Sequence, residues 1–181
     1  MTTRDLSLTA MFAALTAIGA WITIPIQPVP FTFQVLIVLL AGALLGSLKG
    51  GLSQIVYVLL GVVGLPVFAG GASGPGVLVG PSGGYIIGFV VAAFVIGAIC
   101  EVVRSFWGTL GAMVIGMVII YAFGVVQLMI VLNLNFPEAL SLGVFPFVPF
   151  DLIKALIAVS LVGRLRPILS LNPSIPSAKE A

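Results

Sequence analysis

The chain carries very little charge for its length. Of its 181 residues only 7% are Asp, Glu, Lys or Arg, whereas 61% are apolar. A soluble domain carries about 25% charged residues, so this chain lacks the polar surface that would cover it in water. Residues 6–48, 50–100 and 105–137 contain no charged side chain. Because a membrane-spanning helix needs about 20 apolar residues, we predict an all-α integral membrane protein with several spans in the lipid bilayer.

The sequence also lacks the residues that many functions require. It has no histidine, one cysteine and five acidic residues, so we expect no metal site, no cofactor and no disulfide within the chain. Seven dispersed cations give a net charge of +2, which excludes the basic stripe of a nucleic-acid-binding protein. We find no internal repeat of the kind that builds many self-contained carriers, so an independent pump is not expected.

An enzymatic site within the membrane also lacks its residues. Proteolysis by carboxylates needs two acids at membrane depth, acyl transfer needs a base, and lipid phosphate chemistry needs several acids. Only Asp151 is available at that depth. We therefore predict no catalytic residue, and an intramembrane enzyme remains a remote alternative.

Apolar segments separated by prolines, glycines and charges predict six membrane helices, over about 6–24, 32–48, 52–64, 85–102, 107–132 and 150–165. The first segment could instead be a signal peptide, but its start carries both Arg4 and Asp5 and it lacks an A-x-A site. The second and third are short, so a re-entrant hairpin is the alternative to two crossings that would place Lys49 among the headgroups. Residues 1–166 thus form one membrane domain, followed by a polar, proline-rich cytoplasmic tail over 167–181.

Six crossings place nearly all of the cations on one side of the membrane. The N-terminus, two of the turns and the C-terminus would contain Arg4, Lys49, Arg104, Arg164, Arg166 and Lys179, and the opposite loops would contain no Lys or Arg. Because positive loops stay in the cytoplasm, both termini are predicted to be cytoplasmic. The glycine-rich, uncharged segment 67–84 then faces outward, and we expect it to be folded against apolar surface rather than to be a flexible linker.

One cation does not fit this cytoplasmic set. Lys154 lies three residues after Asp151 on the last predicted helix, toward its outer end. Charges at membrane depth are costly and usually face an interior cavity, although an ion pair that only neutralises itself is the alternative. An ammonium oriented by a carboxylate suits a ligand carboxylate, and Asp151 could also accept from a ligand N–H.

The other side chains predicted on the outer side are neutral or aromatic. They include Gln27, Phe31, Phe33, Gln34, Phe68, Ser82 and Tyr85. Together with one cation they indicate a small, partly apolar molecule with an acidic end. On the first helix, Ala10 and Ala14 are small residues four apart, a spacing that allows close helix contact either within the chain or with a partner.

Four ordered stretches carry a family resemblance: PVPFTFQVLIVLLAGALLG (28–46), GLPVFAGG (64–71), GPSGGYIIGF (80–89) and FDLIKA (150–155). Together they resemble the BioY family, the biotin-binding S components of energy-coupling-factor (ECF) transporters, over about residues 6–166. The resemblance implies the six-helix S-component fold in a prokaryotic cytoplasmic membrane. It also implies high-affinity biotin capture from outside, with ATP hydrolysis in separate partners, a transmembrane T protein and two ABC-type ATPases.

The resemblance implies roles for particular residues. The Asp-x-x-Lys pair at Asp151 and Lys154 would contact the valerate carboxylate of biotin, and Ala10 and Ala14 would form the T-protein contact. The loop carrying Phe68 would close over the bicyclic head, with Ser82, Tyr85, Gln34 and Phe31 as further contacts. Some members have Asn in this loop and a basic residue directly after the tyrosine, where this chain has Ala72 and Ile86. An S component for another small carboxylate vitamin and a solitary carrier without ATPase partners remain the alternatives.

Overall fold

The computed structural model describes residues 1–169. Its helices are α1 (Thr3–Trp21), α2 (Gln34–Leu45), α3 (Ser47–Val62), α4 (Gly76–Val79), α5 (Gly83–Val102), α6 (Phe106–Leu132), α7 (Phe136–Gly143) and α8 (Val148–Leu169). Two short strands, β1 (Thr23–Ile24) and β2 (Phe31–Thr32), pair in antiparallel register. A single 3-10 turn, Ala69–Gly71, lies between α3 and α4.

Within residues 1–169, two helices are long and apolar enough to cross a membrane. These are α5 and α6, and the bent pair α7 and α8, which meet at 52°, would add a third crossing if it counts as one span. The apolar helices α2 and α3 are shorter. The number of six crossings therefore stays a prediction.

The core is centred on α2 and α5. Every residue from 38 to 45 of α2 is buried, and α5 packs against α2, α3 and α6. On α5, Ala92, Ala93 and Ile96 are fully buried. Small residues on α5 thus let its neighbours approach closely, as is common between helices in membranes.

The first helix begins earlier and ends earlier than the predicted range 6–24. Thr2 caps α1 by accepting a hydrogen bond from the Asp5 backbone N–H, and the Asp5 carboxylate accepts one in return from the Thr2 backbone N–H. After Trp21 the chain forms the β1–β2 hairpin, whose loop contains three prolines that would break a helix. This hairpin brings Phe31 and Thr32 to the start of α2.

The break between α2 and α3 occurs at Gly46, before the predicted turn at Lys49–Gly51. Gly46 has φ +82°, and the Glu101 carboxylate accepts a hydrogen bond from the Ser47 backbone N–H at 2.8 Å. Gly50 lies inside α3, where a Cβ would meet the Ala41 carbonyl oxygen at 3.0 Å. Gly50 and Gly51, which indicated a turn, therefore allow neighbouring helices to pack closely against α3.

Gly97 on α5 offers a test of this close packing. A Cβ there would overlap the backbone of Gly46 and Ser47, whereas a Cβ at Gly111 on α6 would meet open space. Because backbone cannot move aside cheaply, we expect Gly97→Ala to lower the thermal unfolding midpoint in detergent by about 3–10 °C. Gly111→Ala should leave it unchanged or raise it slightly. Equal midpoints for the two variants would contradict the packing described here.

Two further elements differ from the sequence-based expectation. The segment predicted as a loop before the last helix contains α7, which Asn135 caps in a reciprocal pair with Glu138. The last helix extends to Leu169 with Pro167 inside it. The predicted tail over 167–181 therefore begins within α8, and residues 170–181 of that prediction lie outside the described residues.

Candidate functional site

A cavity of about 510 Å³ lies between the β1–β2 hairpin, α5, α6, α8 and the glycine-rich loop. Six of the seven side chains predicted to bind ligand line it: Phe31, Gln34, Ser82, Tyr85, Asp151 and Lys154. A cavity of this size matches a small-molecule site, and its wall is mostly apolar with a few polar groups. The structure thus brings together residues that are more than 120 positions apart in the sequence.

A buried ion pair forms the charged part of the wall. The Lys154 ammonium lies 2.7 Å from Asp151 Oδ1, and the two residues are 4% and 3% exposed. Lys154 also donates to the Thr32 backbone carbonyl oxygen at 2.7 Å, and the Tyr121 hydroxyl donates to Asp151 Oδ2 at 2.6 Å. Three chain segments, β2, α6 and α8, therefore hold one ammonium and one carboxylate at the cavity.

Aromatic rings surround the ammonium. Lys154 Nζ lies 3.9 Å from the centre of the Phe31 ring and 5.7 Å from that of Phe33, both within the range of a cation–π contact. Phe31 in turn packs edge-on against Phe150 and stacks parallel to Phe147. The rings exclude water from one side of Lys154, which strengthens its electrostatic interactions.

Gln34 connects the cavity wall to α3. Its amide donates to the Tyr57 hydroxyl oxygen at 2.6 Å, and its side-chain oxygen accepts from the Thr32 hydroxyl at 3.0 Å. These bonds satisfy a polar side chain that is 4% exposed. Gln34 is therefore held in one orientation at the start of α2.

Phe68, the seventh predicted ligand contact, does not line the cavity. Its ring is fully buried and packs edge-on against Tyr57 at 5.6 Å between ring centres. It fills the space left by the missing side chain of Gly61. The structure thus gives Phe68 the position of an anchor for the loop, behind the cavity wall.

Three hydrogen bonds hold the glycine-rich loop near its two ends. The Trp21 indole N–H donates to the Pro66 carbonyl oxygen at 2.9 Å, and the Gln127 amide donates to the carbonyl oxygens of Leu78 and Gly80 at 3.3 and 3.2 Å. The residues between these points, including Ala72 and Gly76, form one side of the cavity. The loop is therefore folded against the helices, as its apolar composition indicates.

Ser82 and Tyr85 lie at the start of α5. The Tyr85 hydroxyl donates to the Gly143 carbonyl oxygen at 2.8 Å, and the ring fits against Gly124 on α6. Ile86 and Ala72 both line the cavity. The wall is apolar at these two positions, so the polar side chains of the loop that line the cavity are Ser73 and Ser82.

The predicted partner residues lie away from the cavity. Ala10 and Ala14 are exposed on the outer side of α1, while Ala13 on the same helix is buried. Small exposed residues on an apolar helix leave a shallow groove that another helix could fill. Among residues 1–169, no group of three or more His, Cys, Asp or Glu side chains could hold a metal ion.

Sequence reasoning missed Tyr121, Tyr57 and Gln127. Tyr121 and Gln127 are polar side chains within the long apolar helix α6, and Tyr57 lies among other polar residues on α3. A polar atom in an apolar segment is the signal that could have pointed to the first two. Tyrosine is also common in membrane helices as an interface residue, so its position alone does not distinguish a cavity from a headgroup contact. For Tyr121, the hydrogen bond to Asp151 shows that the side chain faces the cavity.

A family model described as "BioY family" matches residues 1–171. The chain belongs to the BioY family. The biotin transporter BioY of Thermotoga maritima is 48% identical over 163 residues, which cover 90% of this chain and 96% of that protein. The biotin transporter BioY of Rhizobium etli is 39% identical over 176 residues, which cover 91% and 93%.

A solved structure agrees with the BioY assignment. The crystal structure of the S-component for biotin from an ECF-type ABC transporter superposes with a TM-score of 0.86 at 31% identity, covering 92% of this chain and 95% of that one. Together with the apolar helices, this similarity makes the chain a multi-pass membrane protein with an S-component fold. BioY membership also places it among transport proteins rather than enzymes.

Proposed function

We propose that this chain captures biotin at the outer face of a prokaryotic cytoplasmic membrane, as the S component of an ATP-driven ECF importer. The observation that carries the proposal is the buried Lys154–Asp151 pair in the wall of a cavity of about 510 Å³. Relatives that share this length of sequence are named biotin transporters. Biotin is a small, partly apolar molecule with one carboxylate, which is the chemistry that this cavity suits.

The carboxylate of biotin binds Lys154 in this proposal. The ammonium has two oxygen partners, and the Phe31 ring covers a further side. An ammonium can donate three hydrogen bonds, so the ligand carboxylate takes the third in place of the contact with the ring. Phe31 then packs along the apolar part of the ligand.

The bicyclic head lies toward the loop. Ser82 and the first turn of α5 supply polar groups, and Tyr85 shapes the wall through its ring because its hydroxyl already donates to Gly143. The Gln34 side chain is hydrogen-bonded to Tyr57 and Thr32, so its amide faces the ligand in a fixed orientation in this proposal. Phe68 supports the loop from behind rather than touching biotin.

Release to the inside requires partners in this proposal. A T protein packs against α1 at the exposed Ala10 and Ala14, and two ABC-type ATPases supply the energy. In this proposal the chain crosses the membrane six times with both termini in the cytoplasm. This topology places the cations of the turns on the cytoplasmic side, as the positive-inside rule expects. The cavity then opens outward, and Arg104 and Arg164 lie at the cytoplasmic face.

Uptake of labelled biotin tests the proposed partnership. We expect membrane vesicles that hold this chain alone to bind biotin without accumulating it, and vesicles that also hold the T protein and ATPases to accumulate it when ATP is supplied. Accumulation by the chain alone would favour a solitary carrier. Displacement of the label by another carboxylate vitamin at lower concentration than biotin would favour a different substrate.

A further inference from the structure

Among the hydrogen bonds of residues 1–169, Tyr121 is the one α6 side chain that bonds to the buried ion pair. Its hydroxyl donates to Asp151 Oδ2 at 2.6 Å, while Asp151 Oδ1 accepts from Lys154 at 2.7 Å. Tyr121 is half-buried and lines the cavity, next to the fully packed Ile120. The two oxygens of one carboxylate are therefore held by two different helices.

The hydroxyl restricts how Asp151 interacts with Lys154. A carboxylate that is free to rotate next to an ammonium can present both oxygens to it, and a buried carboxylate without other donors gains most from doing so. With Oδ2 held by Tyr121, only Oδ1 faces Lys154. The Asp151 carboxylate is thus shared between a phenol and an ammonium, and one side of the ammonium is left to the Phe31 ring, whose contact a second anion can replace.

A ligand carboxylate competes with Asp151 for the same ammonium. The two anions are equivalent in charge, so the ligand binds well only if Asp151 does not occupy every side of Lys154. The neutral backbone carbonyl of Thr32 occupies a second side of the Lys154 ammonium. Of the two groups that hydrogen-bond the pair from other segments, Thr32 does so through its backbone and Tyr121 through its side chain. Tyr121 can therefore be changed without altering the backbone or either charge.

We infer that Tyr121 is a positioning residue that makes the site selective for carboxylates, by holding Asp151 away from one side of Lys154. This inference rests on the proposed function, because it assumes that the biotin carboxylate binds Lys154. It assigns Tyr121 no contact with the bicyclic head. Its effect is therefore confined to ligands that carry a negative charge at the acidic end.

Two probes of nearly equal shape separate this role from a structural one. We would titrate the full chain and its Tyr121→Phe variant in detergent with biotin and with biotin primary amide, which lacks the charge. We expect Tyr121→Phe to weaken biotin binding by about tenfold or more, the effect of one hydrogen bond to a charged group. The affinity for the amide should change by less than about twofold. The ratio of the biotin affinity to the amide affinity should therefore fall by nearly the same factor as the biotin affinity itself.

Tyr57→Phe is the matched control, because Tyr57 is a buried tyrosine that hydrogen-bonds Gln34 and does not line the cavity. We expect it to change both affinities by the same factor. In an Asp151→Asn background, adding Tyr121→Phe should have no further effect on the ratio, since the carboxylate that Tyr121 positions is absent. Thermal unfolding midpoints of all variants show that each is folded.

Three results would overturn the inference. These are an equal loss for biotin and its amide in Tyr121→Phe, no loss for either, or the same change of ratio in Tyr57→Phe. If the unsubstituted chain binds neither probe, the proposed function itself is wrong, and the inference that depends on it falls as well. Binding of biotin by the unsubstituted chain without the Tyr121 effect would overturn the inference alone.

Discussion

Replacing Lys154 by alanine is expected to weaken biotin binding on the order of a hundredfold, because the ligand carboxylate loses its charged partner in a buried site. Lys154 is 4% exposed and lines the cavity, so bulk water is a poor replacement for its charge there. Isothermal calorimetry on the purified chain measures this loss directly. A Lys154→Ala variant that binds biotin within about twofold of the unsubstituted chain would contradict the assignment.

The alanine variant leaves Asp151 buried without its cation, which can itself destabilise the fold. The double variant Lys154→Met with Asp151→Asn removes both charges and keeps the side-chain volumes, so it tests binding without that cost. We expect it to lose biotin affinity to a similar extent. Lys49→Ala is the matched control, because Lys49 forms an ion pair with Asp5 at 2.6 Å and does not line the cavity.

Replacing Ala14 by tryptophan is expected to abolish partner-dependent uptake while leaving biotin affinity within about twofold. Ala14 is exposed on α1 and does not line the cavity, so a large side chain there blocks only the close approach of another helix. Uptake in vesicles with the T protein and ATPases, together with calorimetry on the same variant, separates transport from binding. Ala10→Trp should behave in the same way.

Ala122→Trp provides the control for bulk. Ala122 is exposed on α6, and α6 packs on α5, α7, α8 and α2 rather than on α1. We expect this variant to keep both binding and uptake. Normal uptake by Ala14→Trp, or an equal loss in Ala122→Trp, would argue against α1 as the partner contact.

The charged part of the site could be predicted from sequence because charges inside an apolar chain are rare. Asp151 and Lys154 share one helix face at a spacing of three residues, and the structure finds them 2.7 Å apart in a cavity wall. The neutral members were predicted on the outer side from the topology, and the family resemblance gave some of them roles as ligand contacts. Gln34, Ser82 and Tyr85 do line the cavity. Their exact partners required the fold, since the Gly143 carbonyl that accepts from Tyr85 lies in a different helix.

Phe68 and Tyr121 show where sequence reasoning reached its limit. An aromatic residue in an apolar loop can face a ligand, the lipid or the core, and only the notch at Gly61 decides that Phe68 faces the core. Tyr121 carries one polar atom in a long apolar helix, and its role depends on Asp151, thirty residues later in the chain. Contacts between distant segments leave no pattern in either segment alone.

The helix boundaries had a similar limit. Glycine pairs indicate a turn when the backbone must bend, but Gly50 and Gly51 lie inside α3, and the break occurs at Gly46. A glycine that admits a neighbouring helix and one that ends a helix look alike in a single sequence. The prolines after α1 predicted the end of that helix, but the two strands of the hairpin were not predicted.

The central claim is that this chain binds biotin through its carboxylate. The most direct test is a calorimetric titration of the purified, folded chain with biotin and with biotin primary amide. We predict one biotin bound per chain, with the amide bound at least about tenfold more weakly because it cannot form the charged contact with Lys154. No binding of biotin by a folded chain, or equal affinity for biotin and its amide, would contradict the account.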